Sequence, residues 1–267
     1  MAGPRVRVGT QGWSYGHWGG RFYPAGARSG DWLELYARAF DVVEVDSTFY
    51  GPPPPERFGA WRRKVPDHFT FTLKMPGEVT HQGRLRDTRL ALRFCDDARA
   101  LEECLGPILI QLPPDFSPAE RSAVTSFLPV LPGDLSYAME FRDRRWFEPR
   151  TLELLADAGV AMAVSVGPWL AERQARDLAA ALSGRLLYLR WLGTPRHQRD
   201  LAAAAAERDD ELTSWAELIP SLAVDEVLAF FNNDYQGHSP GSARRFQALL
   251  GQEPVSPDDL DPQFELF

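Results

Sequence analysis

Short apolar runs recur along the whole chain, and many of them contain β-branched residues or alternate apolar with polar positions. Runs of this length and composition, bounded by turn residues, are typical of β-strands. The pattern predicts eight strands, which cover residues 5–10, 42–48, 69–75, 107–113, 137–141, 160–166, 186–193 and 226–233.

Helical periodicity fills the segments between the predicted strands. Leu33, Tyr36 and Phe40, for example, are spaced as the buried face of one helix. Eight strands that alternate with helices are typical of a TIM (β/α)8 barrel, whereas a doubly wound sheet usually has fewer strands. We therefore predict an α/β fold, with a single barrel domain over residues 1–251 and an acidic, proline-containing tail over residues 252–267.

Polar residues interrupt the predicted strands at alternate positions. Because side chains alternate between the two faces of a strand, the apolar set meets the helices and the other set points to the barrel axis. This rule predicts a cluster of polar side chains near the carboxyl ends of the strands, where barrel active sites lie. Its members are Glu44, Asp46, Lys74, Gln111, Glu140, Arg142 and Arg190, with Asn232 or Asn233 from the last strand. A structural ion-pair network that fastens the barrel is the alternative to a ligand site.

Segments that follow the strands supply further candidates at the same end. Aromatic rings there can stack on a planar ligand or a sugar, or they can plug the barrel mouth. The aromatic candidates are Trp13, Tyr15, Trp18, Tyr50 and Trp146. His81, after the third strand, has the intrinsic pKa best suited to general acid/base catalysis.

Composition and charge narrow the classes of protein that fit. The chain is 44% hydrophobic and 25% charged, as globular proteins are. A formal net charge of −8 disfavours an evenly basic surface for nucleic acid. No signal-peptide pattern or stretch of about 20 apolar residues is present, which predicts a soluble, cytoplasmic protein without membrane association. No nucleotide-binding glycine motif is found either.

Several of these segments together resemble one known family, the domain of unknown function 72, also called YecE-like. The matching segments are GWSYGHWGGRFYP, VVEVDSTFY, FTFTLKMPGEVTH, LGPILIQLPPDF, YAMEFRDRRWF, LLYLRWLG and FFNND. The resemblance implies a TIM barrel, but it implies no activity and no catalytic residues. The chain differs from the family pattern at Val166 and Leu192, where an aspartate and a histidine often stand.

The mixed charges of the inward cluster and an excess of cations near its rim, where RDRRW follows the fifth strand, favour an enzyme that acts on an anionic substrate, either a small molecule or a nucleic acid. We expect hydrolysis of a phosphate ester of nucleotide or nucleic-acid type, in which Lys74, Arg142 and Arg190 hold the anion. Glu44 or Glu140 would then act as the general acid/base, with assistance from His81.

Two other chemistries use some of the same residues. A glycoside hydrolase would place Glu44 and Glu140 on either side of the scissile bond and stack Trp13 and Trp18 on sugar faces. The cofactor requirement is open, since a divalent metal ion would use oxygen and nitrogen ligands of this cluster. Those ligands would be Glu44, Asp46, His81 and Glu140.

The chain ends in QFELF, which looks like the short motif that binds the bacterial DNA sliding clamp. The residues that would fill the clamp groove are Gln263, Phe264, Leu266 and Phe267. Such a tether would make the protein a clamp-recruited enzyme or a non-enzymatic accessory protein. Alternatively, the apolar residues of the tail pack back onto the barrel.

Overall fold

The computed structural model describes residues 3–193 and 201–260 as a closed barrel of parallel strands in the order β1 to β8. All eight predicted strands are present, and the TIM-barrel prediction is confirmed. The strands are β1 Arg5–Gln11, β2 Val42–Val45, β3 Thr70–Lys74, β4 Leu105–Gln111, β5 Tyr137–Glu140, β6 Ala161–Val166, β7 Ser183–Trp191 and β8 Ala223–Phe231.

Helices lie between successive strands and cover the outside of the barrel. They are α1 Trp32–Ala39, α2 Ser47–Tyr50, α3 Pro55–Arg62, α4 Thr88–Ala98, α5 Arg121–Phe127, α6 Pro149–Asp157, α7 Glu172–Ala181, α8 Leu201–Leu218, α9 Asn233–Gln236 and α10 Ser239–Leu249. The outward residues of the strands, such as Phe71 and Leu73, are fully buried beneath this layer. Burial of this apolar face supplies most of the hydrophobic stabilisation of the fold.

The inside of the barrel has a polar layer at each end and an apolar layer between them. At the amino-terminal end, Arg7 donates hydrogen bonds to Glu226 (2.9 Å) and Thr70 (2.6 Å). The middle layer is packed, so the barrel is not a pore. Its buried members are Val42, Leu109, Ala138, Ala163, Tyr188, Leu228 and Phe230. Ligands can therefore reach the polar layer at the carboxyl end only from the mouth above it.

The second strand is shorter than the sequence pattern predicts. It ends at Val45, and the chain turns directly into α2, so Thr48 is helical rather than an inward strand residue. The Thr48 hydroxyl hydrogen-bonds to the carbonyl oxygens of Val45 (2.9 Å) and Lys74 (2.7 Å). These contacts hold α2 against the end of β3. They thereby position Asp46, which directly precedes α2, at the mouth of the barrel.

The segment after α10 contacts the barrel as far as the structure describes it. Gln252 donates a hydrogen bond to the carbonyl oxygen of Val6 (2.9 Å), and Leu260 is fully buried. The proposed clamp-binding residues 263–267 lie outside the described residues. The boundary between a barrel over residues 1–251 and a tail over residues 252–267 stays a prediction.

Within the described part of the chain, none of the helices combines the length and the apolar character needed to cross a bilayer.

Gly9 marks a close approach between β1 and β2. A Cβ atom at this position would lie 2.0 Å from the carbonyl oxygen of Val42, whereas one at Gly133 would meet nothing within 4 Å. We expect Gly9→Ala to lower the free energy of unfolding by about 1–3 kcal/mol, because the two strands must move apart. Gly133→Ala is the matched control and should change it by less than about 0.5 kcal/mol. Urea denaturation measures both, and equal stability of the two variants would contradict this packing.

Candidate functional site

Polar side chains from seven strands meet at the carboxyl end of the barrel, as the alternation rule predicts. Glu44, Gln111, Glu140 and Arg190 are buried there, and Lys74 is 9% exposed. The same layer contains Gln11 from β1 and Ser165 from β6, which the sequence analysis did not single out. Asp46 and Arg142 follow the ends of β2 and β5 and remain partly exposed above this layer. The predicted cluster therefore exists.

Arg190 on β7 is the centre of the cluster. Its guanidinium donates two hydrogen bonds to Glu44, from Nε to Oε2 (2.8 Å) and from Nη2 to Oε1 (2.7 Å). Its Nη1 donates a third, to Oε2 of Glu140 (2.5 Å). Both glutamates are 0% exposed. Buried carboxylates are stable only when they are paired, and Arg190 supplies a planar donor for both of them at once.

Glu140 on β5 has a complete set of donors. Besides Arg190, it accepts hydrogen bonds from Gln111 (2.9 Å), Arg142 (2.9 Å) and Ser165 (2.6 Å). Burial acts to raise the pKa of Glu140, but Arg190 and Arg142 outweigh it and hold this pKa at about 2. Glu140 is therefore a permanent anion near neutral pH and is poorly suited to exchanging protons.

Glu44 is held from a second side by Tyr188 on β7. The Tyr188 hydroxyl donates to Oε2 of Glu44 (2.8 Å) and lies 2.8 Å from the Thr72 hydroxyl. Tyr188 precedes Arg190 by two residues on β7, so the same alternation places it on the inward face. The signal for Ser165 was its parity on β6, where it alternates with the outward Val164 and Val166.

Asp46 and Lys74 form a looser pair at the mouth. Oδ1 of Asp46 lies 4.0 Å from the Lys74 ammonium and 3.8 Å from Arg190, too far for hydrogen bonds. Burial and the neighbouring Glu44 raise the pKa of Asp46 to about 7. Its side chain is nevertheless 25% exposed. Asp46 is the acidic group of this cluster that can both reach a ligand and change its charge near neutral pH.

Lys74 is one of two lysines in the chain. Burial and then Arg190 lower its pKa, and its ammonium lies 4.3 Å from the centre of the Phe49 ring. Among the described residues it has no hydrogen-bond acceptor. A lysine in this setting is a strong anion ligand, because a bound anion would complete its coordination.

His81 lies in a single π-helical turn, Glu78–Gln82, that follows β3. Its Nδ1 is 3.0 Å from the Thr80 hydroxyl, which itself donates to the carbonyl oxygen of Pro76 (3.2 Å). With the Thr80 hydroxyl donating to Pro76, Nδ1 carries the proton and Nε2 has the free lone pair. Burial, then Arg142 and Lys74, lower the pKa of His81 to about 4. The imidazole is thus neutral at neutral pH and can accept a proton at Nε2.

Arg142 reaches the mouth with one side of its guanidinium. Its Nε donates to Glu140, and the guanidinium carbon lies 5.5 Å from the centre of the Trp169 ring. In residues 3–193 and 201–260, its two terminal nitrogens have no hydrogen-bond acceptor. Asn232 lies across the mouth and donates from Nδ2 to Oε1 of Gln11 (2.8 Å).

The aromatic candidates are placed differently from the sequence expectation. Trp18 and Trp146 are 0% exposed and therefore do not line the mouth. Their indole nitrogens donate to Asn233 and to the carbonyl of Phe116, so each serves as packing.

The other three rings are at least partly accessible. Trp13 packs edge-on against Trp61 and Phe71 outside the barrel. Tyr15 is half-buried beside Asp46 and Glu44, and burial raises its pKa to about 12. Tyr50 is 87% exposed. Only Tyr15 and Tyr50 are therefore positioned to meet a ligand at the mouth.

The residues proposed as metal ligands do not form a chelating group. Within the described residues, no three histidine, cysteine, aspartate or glutamate side chains are arranged to hold a metal ion. Glu44 and Glu140 are separated by the Arg190 guanidinium, which uses their oxygens. A cation placed between these glutamates would have to displace another cation.

Comparisons with known proteins agree with the fold. A family model described as a protein of unknown function, DUF72, matches residues 7–264. The UPF0759 protein YecE of Escherichia coli (strain K12) is 35% identical over 143 residues, 53% of this chain and 50% of that protein. The match thus spans about half the length of this relative. The UPF0759 protein YunF of Bacillus subtilis (strain 168) is 24% identical over 96% of this chain and 99% of its own.

A solved structure has the same fold. The crystal structure of a DUF72 family protein from Enterococcus faecalis V583 superposes with a TM-score of 0.72 and 21% identity, covering 96% of this chain and 98% of that one. At this identity the likeness establishes the fold alone.

The pairing around Arg190 predicts a large effect on stability. Arg190→Met leaves Glu44 and Glu140 buried without their common cation, so we expect the free energy of unfolding to fall by about 3–5 kcal/mol. Arg185→Met, on the exposed start of the same strand, is the control and should change it by less than about 0.5 kcal/mol. Chemical denaturation at pH 7 measures both. A change below about 1 kcal/mol for Arg190→Met would contradict the central role of this guanidinium.

Proposed function

The chain belongs to the DUF72 family of proteins of unknown function, and we propose that it hydrolyses phosphate esters, of nucleotide type or of other small molecules, at the mouth of its barrel. The observation that carries this proposal is the pair of Asp46 and Lys74. An acid whose pKa is near 7 and a lysine for which the described residues supply no hydrogen-bond acceptor lie together at the carboxyl end of the barrel. Such groups are suited to moving protons on a bound anion.

Anion binding is assigned to Lys74 and Arg142. Lys74 ends β3 and Arg142 follows β5 at the same end of the barrel. Both have N–H donors that no described residue uses. Their partial burial strengthens attraction to a phosphate relative to a solvated surface. Arg190 is assigned a different part, because Glu44 and Glu140 already occupy its donors. It holds the two glutamates in place and lowers the negative charge beneath the substrate.

Proton transfer is assigned to Asp46 and His81. Protonated Asp46 acts as the general acid, and neutral His81 accepts a proton at Nε2 as the general base. This differs from the expectation for Glu44 and Glu140 as acid/base groups. Both are fully buried, and the low pKa of Glu140 keeps it ionised.

The proposed reaction proceeds by attack of water on phosphorus. His81 takes one proton from the water as its oxygen forms the new P–O bond. The P–O bond to the alcohol breaks with its electron pair on the alcohol oxygen, which takes the proton of Asp46. Exchange with solvent then returns His81 to the neutral form and Asp46 to the protonated form.

The glycoside-hydrolase alternative is less well supported. It requires aromatic rings that stack on sugar faces, but Trp18 is fully buried and Trp13 packs outside the barrel. It also requires one carboxylic acid and one accessible carboxylate on either side of the bond. Glu44 and Glu140 are both inaccessible and both bound to Arg190.

The opposing pKa shifts predict a bell-shaped pH profile. His81 must be neutral, which requires a pH above about 4, and Asp46 must be protonated, which requires a pH below about 7. We expect kcat/KM for an alkyl phosphate, sn-glycerol 3-phosphate, to rise through the first value and fall through the second. Asp46→Asn should lower kcat at least about 100-fold, while the exposed Asp157→Asn on α6 should leave it unchanged.

Stopped assays of phosphate release between pH 3 and 9 measure this profile, with p-nitrophenyl glycosides as the comparison substrates. Turnover of the glycosides but not of the phosphate would overturn the proposal in favour of the alternative. Full activity of Asp46→Asn would remove Asp46 from the mechanism.

Recruitment by the DNA sliding clamp is a separate proposal that rests on the terminal QFELF. We expect the intact chain to bind the purified bacterial clamp in surface plasmon resonance. Deletion of residues 263–267 should abolish this binding and leave phosphate-ester turnover unchanged, because no residue of this segment is assigned a part in the proposed reaction. A chain with the same five residues in scrambled order is the control. Binding that survives the deletion, or that is absent from the intact chain, would reject the tether.

A further inference from the structure

Gln11 carries a buried amide donor that the proposed mechanism has not used. The residue ends β1 and is 1% exposed. Within residues 3–193 and 201–260, its Nε2 atom has no hydrogen-bond acceptor. An unpartnered buried donor is destabilising. A ligand that accepts a hydrogen bond from such a group would remove this cost.

The orientation of this amide is fixed by a chain of hydrogen bonds. The backbone N–H of Asp234 donates to Oδ1 of Asn232 (2.8 Å), which makes Nδ2 the free side of the Asn232 amide. That Nδ2 donates to Oε1 of Gln11 (2.8 Å). Oε1 of Gln11 is therefore the acceptor, and Nε2 is the atom that faces the site without a partner.

Gln11 and Asp46 lie on neighbouring strands at the same end of the barrel. Gln11 is in register with Glu44, and Asp46 directly follows the end of β2, at the start of α2. Tyr15 lies beside both, since its hydroxyl donates to the carbonyl oxygen of Gln11 (2.9 Å) and Asp46 is the charged group that raises its pKa most. Oδ1 of Asp46 is also without a hydrogen-bond partner in the described residues.

Two contacts hold Tyr15 beside the end of β1. Its ring packs on the backbone of Gly12, where a Cβ atom would lie 2.9 Å from the ring and φ is +78°. Its hydroxyl makes a single hydrogen bond within the described residues, to the carbonyl oxygen of Gln11.

We propose that Gln11 Nε2 and Asp46 together form the subsite for the ester oxygen of the leaving group, and that the substrates are phosphate esters of unactivated aliphatic alcohols. This inference rests on the proposed function. Lys74 on β3 adjoins Asp46 on the side opposite to Gln11. The non-bridging phosphate oxygens then face Lys74, and the ester oxygen bonded to the same phosphorus faces Asp46 and Gln11.

The chemistry of the leaving group explains why both residues are needed. An aliphatic alkoxide is strongly basic, so the bond to phosphorus breaks readily only when the departing oxygen receives a proton. Asp46 supplies that proton, and the Gln11 amide donates a hydrogen bond where negative charge develops on the oxygen. A nitrophenolate leaves without such help. Two donors to this oxygen therefore select for alkyl esters, and the product alcohol departs with its new hydroxyl hydrogen.

Two variants of Gln11 test this assignment. Gln11→Glu keeps the acceptor for Asn232 and replaces Nε2 by an oxygen, whereas Gln11→Met removes both polar atoms. The exposed Gln174→Met on α7 is the control. Each protein is assayed for phosphate release from sn-glycerol 3-phosphate and from p-nitrophenyl phosphate at pH 5.5, with a thermal melt to verify folding.

We expect both Gln11 variants to lose about 100-fold in kcat/KM on glycerol 3-phosphate and less than about 3-fold on p-nitrophenyl phosphate. Equal losses on the two esters in a folded variant, or no loss on either, would overturn the subsite and leave the proposed function standing. An unaltered chain that hydrolyses neither ester would overturn the proposed function and this inference together. If Gln11→Met fails to fold, Gln11→Glu alone tests the subsite, because it preserves the hydrogen bond from Asn232.

Discussion

The interior of this barrel depends on one arginine that is shared by two buried glutamates. Arg190 bonds to Glu44 and Glu140 through three of its nitrogens, and this pairing makes two carboxylates tolerable in the barrel interior. Because the guanidinium is used in this way, Asp46 receives no hydrogen bond from it. Asp46 lies at ion-pair distance from two cations, and burial together with Glu44 raises its pKa to about 7.

The apolar layer below the polar cluster strengthens the electrostatic interactions among these charges. Tyr188 and Phe230 pack with aliphatic residues across the barrel, so the polar cluster is solvated only from the mouth. One-sided access lowers the local dielectric constant and enlarges every charge effect there. It also accounts for the opposite shifts at the mouth, in which an acid becomes easier to protonate and His81 becomes harder to protonate.

The polar cluster contains one group of residues that form a buried network and another group that is accessible at the mouth. The sequence could not distinguish the two groups. Glu44, Glu140 and Arg190 satisfy one another and fasten β2, β5 and β7, as a structural network would. Asp46, Lys74, Arg142 and His81 lie above them with donors and acceptors that no described residue uses. The buried part fits the structural interpretation, and the accessible groups are those on which the proposed ligand site depends. The chain belongs to the DUF72 family. The proposed hydrolysis assigns a role to each of the accessible groups.

The sequence by itself determined the barrel and the direction of its inward residues, because the alternation along a strand is local and each apolar run carries it. Glu44, Lys74, Gln111, Glu140 and Arg190 were placed correctly for this reason. Only the tertiary structure decided which strands bring Ser165, Tyr188 and Gln11 next to them, which acid Arg190 leaves without a hydrogen bond, and that Trp18 and Trp146 are packing residues. Those outcomes depend on side chains from distant strands competing for the same donors and the same space, and no local pattern records that competition.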